Sequence, residues 1–356
     1  MTGQSPEEAV DEPTERVEGP LDLIFLSKEE FESLELDNDR VVEEIERGLE
    51  AHGNDNVVMP PKDHLEIEPK YEGHFNYLKS YVGPIDVAGV KVIGDYYHNY
   101  KRGLPSELAL LTLYQSHTGV PFAIMDATVI TWMRTGAVTA AGAKHLARED
   151  SSVLGHIGSR GTAWYNVPML DSIFDFEEIR VNSKRAESRE RFSREMSDQL
   201  GKEVTPVDTS REAVEGADII VDASRLTEPT VLEREEWIKP GALIMPYGAV
   251  MSVEPELPFE MDKLIVDDWQ QAKSSQIGQL YPLIEDGRLR DEHIDGEIGE
   301  VIAGHKPGRE SEDDRILFWH KGFSISDVML GNLAYQVAQE RGIGQQVTYY
   351  ENPEPR

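Results

Sequence analysis

A series of short strand-like runs in the second half of the chain restricts its fold more than any other feature. They are Ser152–Ile157, Glu178–Asn182, Glu203–Val207, Asp218–Ala223, Ala242–Pro246 and Leu264–Asp267. The charged amphipathic stretch Ala186–Leu200 and further helical or turn segments separate them. Strands that alternate with helices predict a parallel, doubly wound sheet covered on both faces. Around Ser152–Leu170 the pattern reads strand, turn, helix, and the turn is Gly158-Ser159-Arg160-Gly161-Thr162-Ala163.

That turn approximates a dinucleotide-binding G-x-G-x-x-A. Such a motif needs a tight first glycine, a close backbone approach to the pyrophosphate, and a small residue where helix meets strand. Gly158 and Ala163 meet the first and third needs; Arg160 holds the second position and Gly161 follows it. The next strand ends at Ser183-Lys184-Arg185, where an NAD site would usually place an acid for the ribose hydroxyls. A serine and two cations suit a 2′-phosphate, so NADP(H) is favoured over NAD(H).

The 356 residues suggest two domains or one large one. Residues 1–18 read as a disordered acidic lead. Leu21–Phe25 reads as a strand, Ser27 with Glu30 as a capping box opening a helix, and Val41–Ala51 as a second helix. From Asn56 to Leu113 strand-like runs alternate with turns, and Val129–Ala147 has helix-forming composition. The tail, a strand in ILFWHKGF from Ile316 and a helix over Ile325–Arg341, is read as returning to the first domain. The domains are therefore 19–135 with 320–356, and 136–319.

Composition excludes several classes. The chain has no cysteine, which removes disulfides, thiolate metal sites and cysteine nucleophiles. With 67 acidic against 35 basic residues it carries a net charge of −32, which repels nucleic acid. Acid spread along the chain is read as adaptation to high salt. No apolar run is long enough for a membrane helix, and the acidic N-terminus is no signal peptide, so a cytoplasmic location is expected. HExxH, EF-hand and Walker patterns are missing, and no metal is expected.

The remaining motifs resemble those of the ornithine cyclodeaminase/mu-crystallin family. They are VVMPPK (Val57–Lys62), VAGVKVIGDYYHN (Val87–Asn99), RGLP (Arg102–Pro105), TGVPFAIMDATVITWMRTGAV (Thr118–Val138), GADII, WIKPGALI and GEIGEVIAGHKPGR. The ending GIGQQVTYYENP resembles a branch of that family named for tyramine oxidase. The resemblance implies a Rossmann-type domain, an α+β substrate-binding and dimerisation domain, a homodimer, and chemistry at the C–N bond alpha to a carboxylate. It implies substrate-binding and catalytic roles for Lys91 and Arg134, whose charges suit a carboxylate. Lys62 falls near a further family arginine, and His98 and Asn99 lie beside the Lys91 segment as pocket candidates. For the cofactor it adds Ala223, Gly248 and Gly322 to Gly158, Ser159, Arg160, Gly161, Ala163, Ser183, Lys184 and Arg185. Asp126 is read as orienting its neighbours. Asp327 is open between capping the last helix and lying near the nicotinamide. Cyclodeaminases carry an aspartate where this chain has Val250. Valine cannot exchange protons, which favours imine reduction or amino-acid dehydrogenation over ammonia-lyase ring closure. A non-catalytic NADPH-dependent binding protein is the alternative.

Overall fold

The computed structural model describes residues 19–67, 70–224, 235–248, 250–275 and 278–353; the acidic lead falls outside them. The first sheet begins with strands β1 (Leu21–Leu26), β2 (Val57–Val58), β3 (Asp63–Glu66), β4 (His74–Val82), β5 (Val87–Asp95), β6 (Glu107–Gln115) and β7 (Pro121–Asp126). β4 to β7 form an antiparallel meander, and β1 joins β7 in parallel. Side-chain alternation sets its two faces. On β6, Ala109, Leu111 and Leu113 are buried while Leu108 and Leu110 are exposed. On β5 the buried phase is Val87, Gly89, Lys91 and Ile93, so strand periodicity alone carries the Lys91 ammonium inward.

Ser27 and Glu30 form the expected capping box on a short helix, Lys28–Glu32. Asp37 caps the next helix, Asn38–Gly53. The helix Thr128–Leu146 is buried along most of its length, with glycines and alanines where neighbours come close. A side chain at Gly142 would overlap Phe318, and one at Gly136 would lie 2.7 Å from Tyr165 Cβ. This helix brings Arg134 between the two sheets.

The second sheet holds β8 (Val153–Ile157), β9 (Glu178–Asn182), β10 (Val204–Pro206), β11 (Ile219–Asp222), β12 (Leu243–Pro246), β13 (Lys263–Val266), β14 (Gly296–Glu297) and β15 (Ile316–Trp319). The order is β10-β9-β8-β11-β12-β15-β13-β14, and every pairing is parallel. The order of connection reverses at β8, which lies between β9 and β11; such switch points open a crevice at the strand C-termini.

The tail divides between the sheets, contrary to the sequence reading of it as one unit. β15 is buried at all four positions and inserts between β12 and β13, because a wholly apolar strand needs cover on both faces. The helix Ser324–Arg341 returns to pack beneath β4, β5 and β6. A last strand, β16 (Gln345–Tyr350), pairs antiparallel with β1 and has no counterpart in the sequence reading. Its side chains are all exposed, so it lacks the apolar alternation that announces a strand. Among the described residues no helix is long and apolar enough to cross a membrane.

Candidate active site

The sequence-predicted cofactor residues gather at the C-terminal ends of the parallel strands. Gly158 follows β8, Ala223 follows β11, Gly248 lies beyond β12, and Gly322 beyond β15. Gly158 has φ +110°, and a Cβ there would lie 2.8 Å from the Ala223 carbonyl oxygen, so only glycine fits the turn. Its N–H donates to the Asn182 carbonyl at 2.8 Å, tying the turn to the end of β9. The buried Ser159 hydroxyl donates to Ser183 at 2.9 Å. Gly161 also has positive φ and leads into the helix Ala163–Phe174. Arg160, Lys184 and Arg185 are exposed. A backbone cradle beneath a helix N-terminus, with cations beside it, fits the pyrophosphate and ribose of a dinucleotide.

Two of the residues expected from the sequence to bind substrate, Lys91 and Arg134, meet in the interior. Lys91 is fully buried; its ammonium donates to the Asp327 Oδ1 carboxylate oxygen and to Thr131 Oγ1, the latter at 3.1 Å. Arg134 Nε donates to the same Oδ1 at 2.9 Å. The other oxygen, Asp327 Oδ2, is buried without a hydrogen-bond partner. Asp327 therefore holds two cations and does not cap its helix, which starts at Phe323 with no side-chain cap. A side chain at Gly322 would overlap the Arg134 guanidinium, so this glycine lets the end of β15 approach the helix Thr128–Leu146.

Lys62 lies in the same field, acted on by Asp267, Arg134 and Asp327. Burial pulls its ammonium down to about 8, and burial takes Lys91 to about 7 despite Asp327. The sequence reading missed two members, Asp267 and Lys321. Asp267 follows β13 and accepts the backbone N–H groups of Lys321 and Gly322 at 2.6 and 2.9 Å. Burial raises its carboxyl to about 6. Lys321 is buried, and burial together with Lys62 lowers it to about 7. Both sit just beyond apolar strands, where a charged residue ordinarily marks only the return to solvent.

A buried histidine supports this edge. His320 stacks between Tyr247 and Phe318, with centroids 5.1 and 5.3 Å away, and its Nε2 meets Thr139 Oγ1 at 3.0 Å. Burial, aided by Arg134, pushes its pKa down to about 3, so the ring is neutral. Asn166 Nδ2 donates to the Tyr247 hydroxyl at 3.1 Å, and Thr162 also bonds that hydroxyl. The nucleotide turn is thereby braced against the end of β12.

Other sequence candidates are placed elsewhere. His98 and Asn99 are not brought into the buried cluster. They lie in a surface turn, Tyr97–Arg102, where His98 pairs with exposed Glu72 at 2.6 Å and Asn99 donates to the Pro105 carbonyl. The β-strand ends at Asp95, so its inward alternation no longer directs them. Asp126 accepts the N–H groups of Thr128 and Val129 and so orients the start of the Arg134 helix. Val250 is buried in an apolar cluster with Ile157, Ile220 and Ile244. His52, Asp268 and Glu297 bring their ligand atoms within 4.8 Å of one another. Burial would lower the His52 pKa, but the Asp268 hydrogen bond and Glu297 hold it above its ordinary value. His52 Nε2 lies 3.4 Å from an Asp268 carboxylate oxygen, which links the helix Asn38–Gly53 to the segment that follows β13.

Comparison with known proteins agrees with this architecture. The model of the ornithine cyclodeaminase/mu-crystallin family matches residues 23–342. An alanine dehydrogenase of Archaeoglobus fulgidus is 31% identical over 334 residues, covering 93% of this chain and 99% of that one. The structure of Thermococcus litoralis Δ1-pyrroline-2-carboxylate reductase with NADH and L-proline superposes with a TM-score of 0.84 at 32% identity, over 91% of this chain and 100% of that one. An archaeal alanine dehydrogenase dimer with bound NAD gives a TM-score of 0.85 at 29% identity, over 92% of this chain and 100% of the other. With its two-sheet architecture, its motifs and these full-length likenesses, this chain belongs to the ornithine cyclodeaminase/mu-crystallin family.

Proposed function

We propose that this protein is an NAD(P)-dependent oxidoreductase that transfers a hydride at the α C–N bond of a small amino or imino acid. The observation that carries the reading is the burial of Lys91 and Arg134 on one oxygen of Asp327, beside the glycine that follows β15. Two buried cations on a single carboxylate leave positive charge for an anionic ligand, and arginine supplies paired donors for a carboxylate. The relatives named alanine dehydrogenase and pyrroline-2-carboxylate reductase support the same substrate class.

In this reading Gly158, Ser159, Gly161 and Ala163 hold the pyrophosphate, with Ala223, Gly248 and Gly322 along the cofactor edge. Bound nicotinamide would supply or accept the hydride. Lys91, Arg134 and Lys62 fix the substrate carboxylate and hence the face presented to the cofactor. Lys91, at about 7, can exchange a proton near neutrality. Ser183, Lys184 and Arg185 favour NADP(H), although the solved relatives above were bound to NAD or NADH. Val250 offers no proton to an amino group leaving a side chain, so reduction or dehydrogenation is favoured over conversion of ornithine to proline. The division into a substrate domain (19–135 with 320–356) and a dinucleotide domain (136–319) follows from this assignment. The outer face of the first sheet, with Leu65, Leu108 and Leu110 exposed, suits a homodimer.

The test is spectrophotometric. NAD(P)H oxidation is expected with cyclic imines or with 2-oxo acids plus ammonium, and no proline or ammonia from ornithine. Tight cofactor binding with no turnover of any imine, oxo acid or amino acid would instead leave a binding protein.

A further inference from the structure

The buried cluster of Lys91, Arg134 and Asp327 keeps hydrogen-bonding capacity of both kinds. Asp327 is fully buried, and its Oδ1 takes both cations, the Lys91 ammonium and Arg134 Nε, the latter at 2.9 Å. Thr131 Oγ1 gives its own proton to the Ala127 carbonyl, so toward Lys91 it accepts, at 3.1 Å. An ammonium has three donors and a guanidinium five. Among the described residues this leaves one N–H of Lys91 unused, and the Arg134 Nη groups beside Gly322. On the acceptor side, Asp327 Oδ2 is buried with no hydrogen-bond partner. Asp267 makes the contrast: its Oδ2 accepts the N–H groups of Lys321 and Gly322, and its Oδ1 that of Asp268. Val250, in its apolar cluster, offers no acceptor. A buried carboxylate oxygen without a donor is costly, and such an exception points to a group that arrives with function. A plain carboxylate ligand would satisfy only the spare donors. A ligand with an N–H on the carbon next to its carboxylate would satisfy the donors and Oδ2 together.

We propose that Asp327 Oδ2 accepts the N–H of the substrate's α-nitrogen while Lys91 and Arg134 hold its α-carboxylate, which makes Asp327 a further catalytic residue. It selects amino and imino acids over carboxylates with no donor at that position. This rests on the oxidoreductase reading for the reaction, but not for the binding. In the reductive direction a hydride leaves NAD(P)H, giving NAD(P)+, and bonds to the α-carbon of an iminium. The C=N electron pair passes to nitrogen, the proton already on nitrogen stays there, and a neutral amine results. A carboxylate against that N–H favours the protonated iminium, which accepts hydride, over the neutral imine.

The experiment uses the full chain saturated with NAD(P)H, so that an amino acid binds without being oxidised. Calorimetry compares proline with cyclopentanecarboxylate, and alanine with isobutyrate. Each pair shares shape and carboxylate and differs in the nitrogen. The carbon analogues carry the greater net negative charge, so a pocket that is merely cationic binds them at least as well. The nitrogen member of at least one pair is expected to bind ten-fold or more tightly than its analogue. Equal affinity in both pairs, absence of binding included, overturns the proposal without any variant. Asp327→Asn keeps a carbonyl for Lys91 and Arg134 but sets an amide N–H against the substrate nitrogen, and the ratio should fall by ten-fold or more. A loss shared equally by nitrogen and carbon members would mark Asp327 as an anchor for the cations alone and overturns the proposal as well. Parallel measurement of NAD(P)H oxidation separates the two readings. A nitrogen preference without turnover of any cyclic imine keeps the role of Oδ2 in binding and removes the oxidoreductase. Turnover of a cyclic imine with no nitrogen preference does the reverse.

Discussion

The two sets of cations in this molecule differ in depth. Arg160, Lys184 and Arg185 stand exposed around the nucleotide turn, whereas Lys91 and Arg134 are buried on Asp327. Exposed charges are hydrated and screened, so each contributes little and depends on salt. Buried charges have lost water, so they depend on specific partners and can titrate away from their ordinary values. One protein therefore carries two kinds of electrostatics.

The largest test of this contrast is Asp327→Ala. It leaves Lys91 and Arg134 buried without their shared carboxylate, and should cost about 3–5 kcal/mol of stability in denaturant unfolding. A loss below about 1 kcal/mol would show that the pair is not desolvated. Gly158→Val comes next. With φ +110° and the Ala223 carbonyl in the way, it should cost about 1–3 kcal/mol and weaken cofactor binding by titration.

A pH series sharpens the contrast further. Lys91 sits at about 7 against an ordinary 10.5. Between those values the unfolded chain binds more protons than the folded one, so this lysine makes stability rise with pH across that window. Under the proposed role of Lys91, substrate binding has the opposite sign. It needs the charged ammonium, so kcat/KM for a carboxylate substrate should fall as pH rises through about 7. A flat profile from about pH 6 to 9 would place the carboxylate on Arg134 alone.

The exposed set should give smaller effects. Lys184→Glu with Arg185→Ala should weaken NADPH by about ten-fold more than NADH, a difference of about 1.4 kcal/mol measured by fluorescence titration. Equal loss of both cofactors would break the assignment to a 2′-phosphate. Added salt should shrink that preference while raising overall stability, because it screens the net charge of −32. If stability does not rise with salt, the surface acid is not a high-salt adaptation.

Much of the fold was legible because burial imposes periodicity. Glu178–Asn182 and Ala186–Leu200 read as a strand and a helix over the same residues that form them. Lys91 was legible through its motif, and β5 alternation then explains why a charge in that phase must point inward. Asp327 was ambiguous, since an acid near a helix start is ordinarily a cap. Lys321 and Asp267 were illegible: their partners are distant in sequence, and they gather only because β13 and β15 are neighbours in the sheet. The exposed β16 escaped for a related reason, since its pairing with β1 comes from chain return and not from patterning.

The sequence by itself determined the parallel sheet, the glycine turn, the family and the two principal carboxylate-binding candidates. These depend on local spacing, which sterics and side-chain alternation convert directly into structure. The tertiary structure decided which charges share a counter-ion, which cations are buried, and that His98 and Asn99 stay at the surface. Those outcomes depend on desolvation and on strand order, and neither is a property of any short stretch of chain.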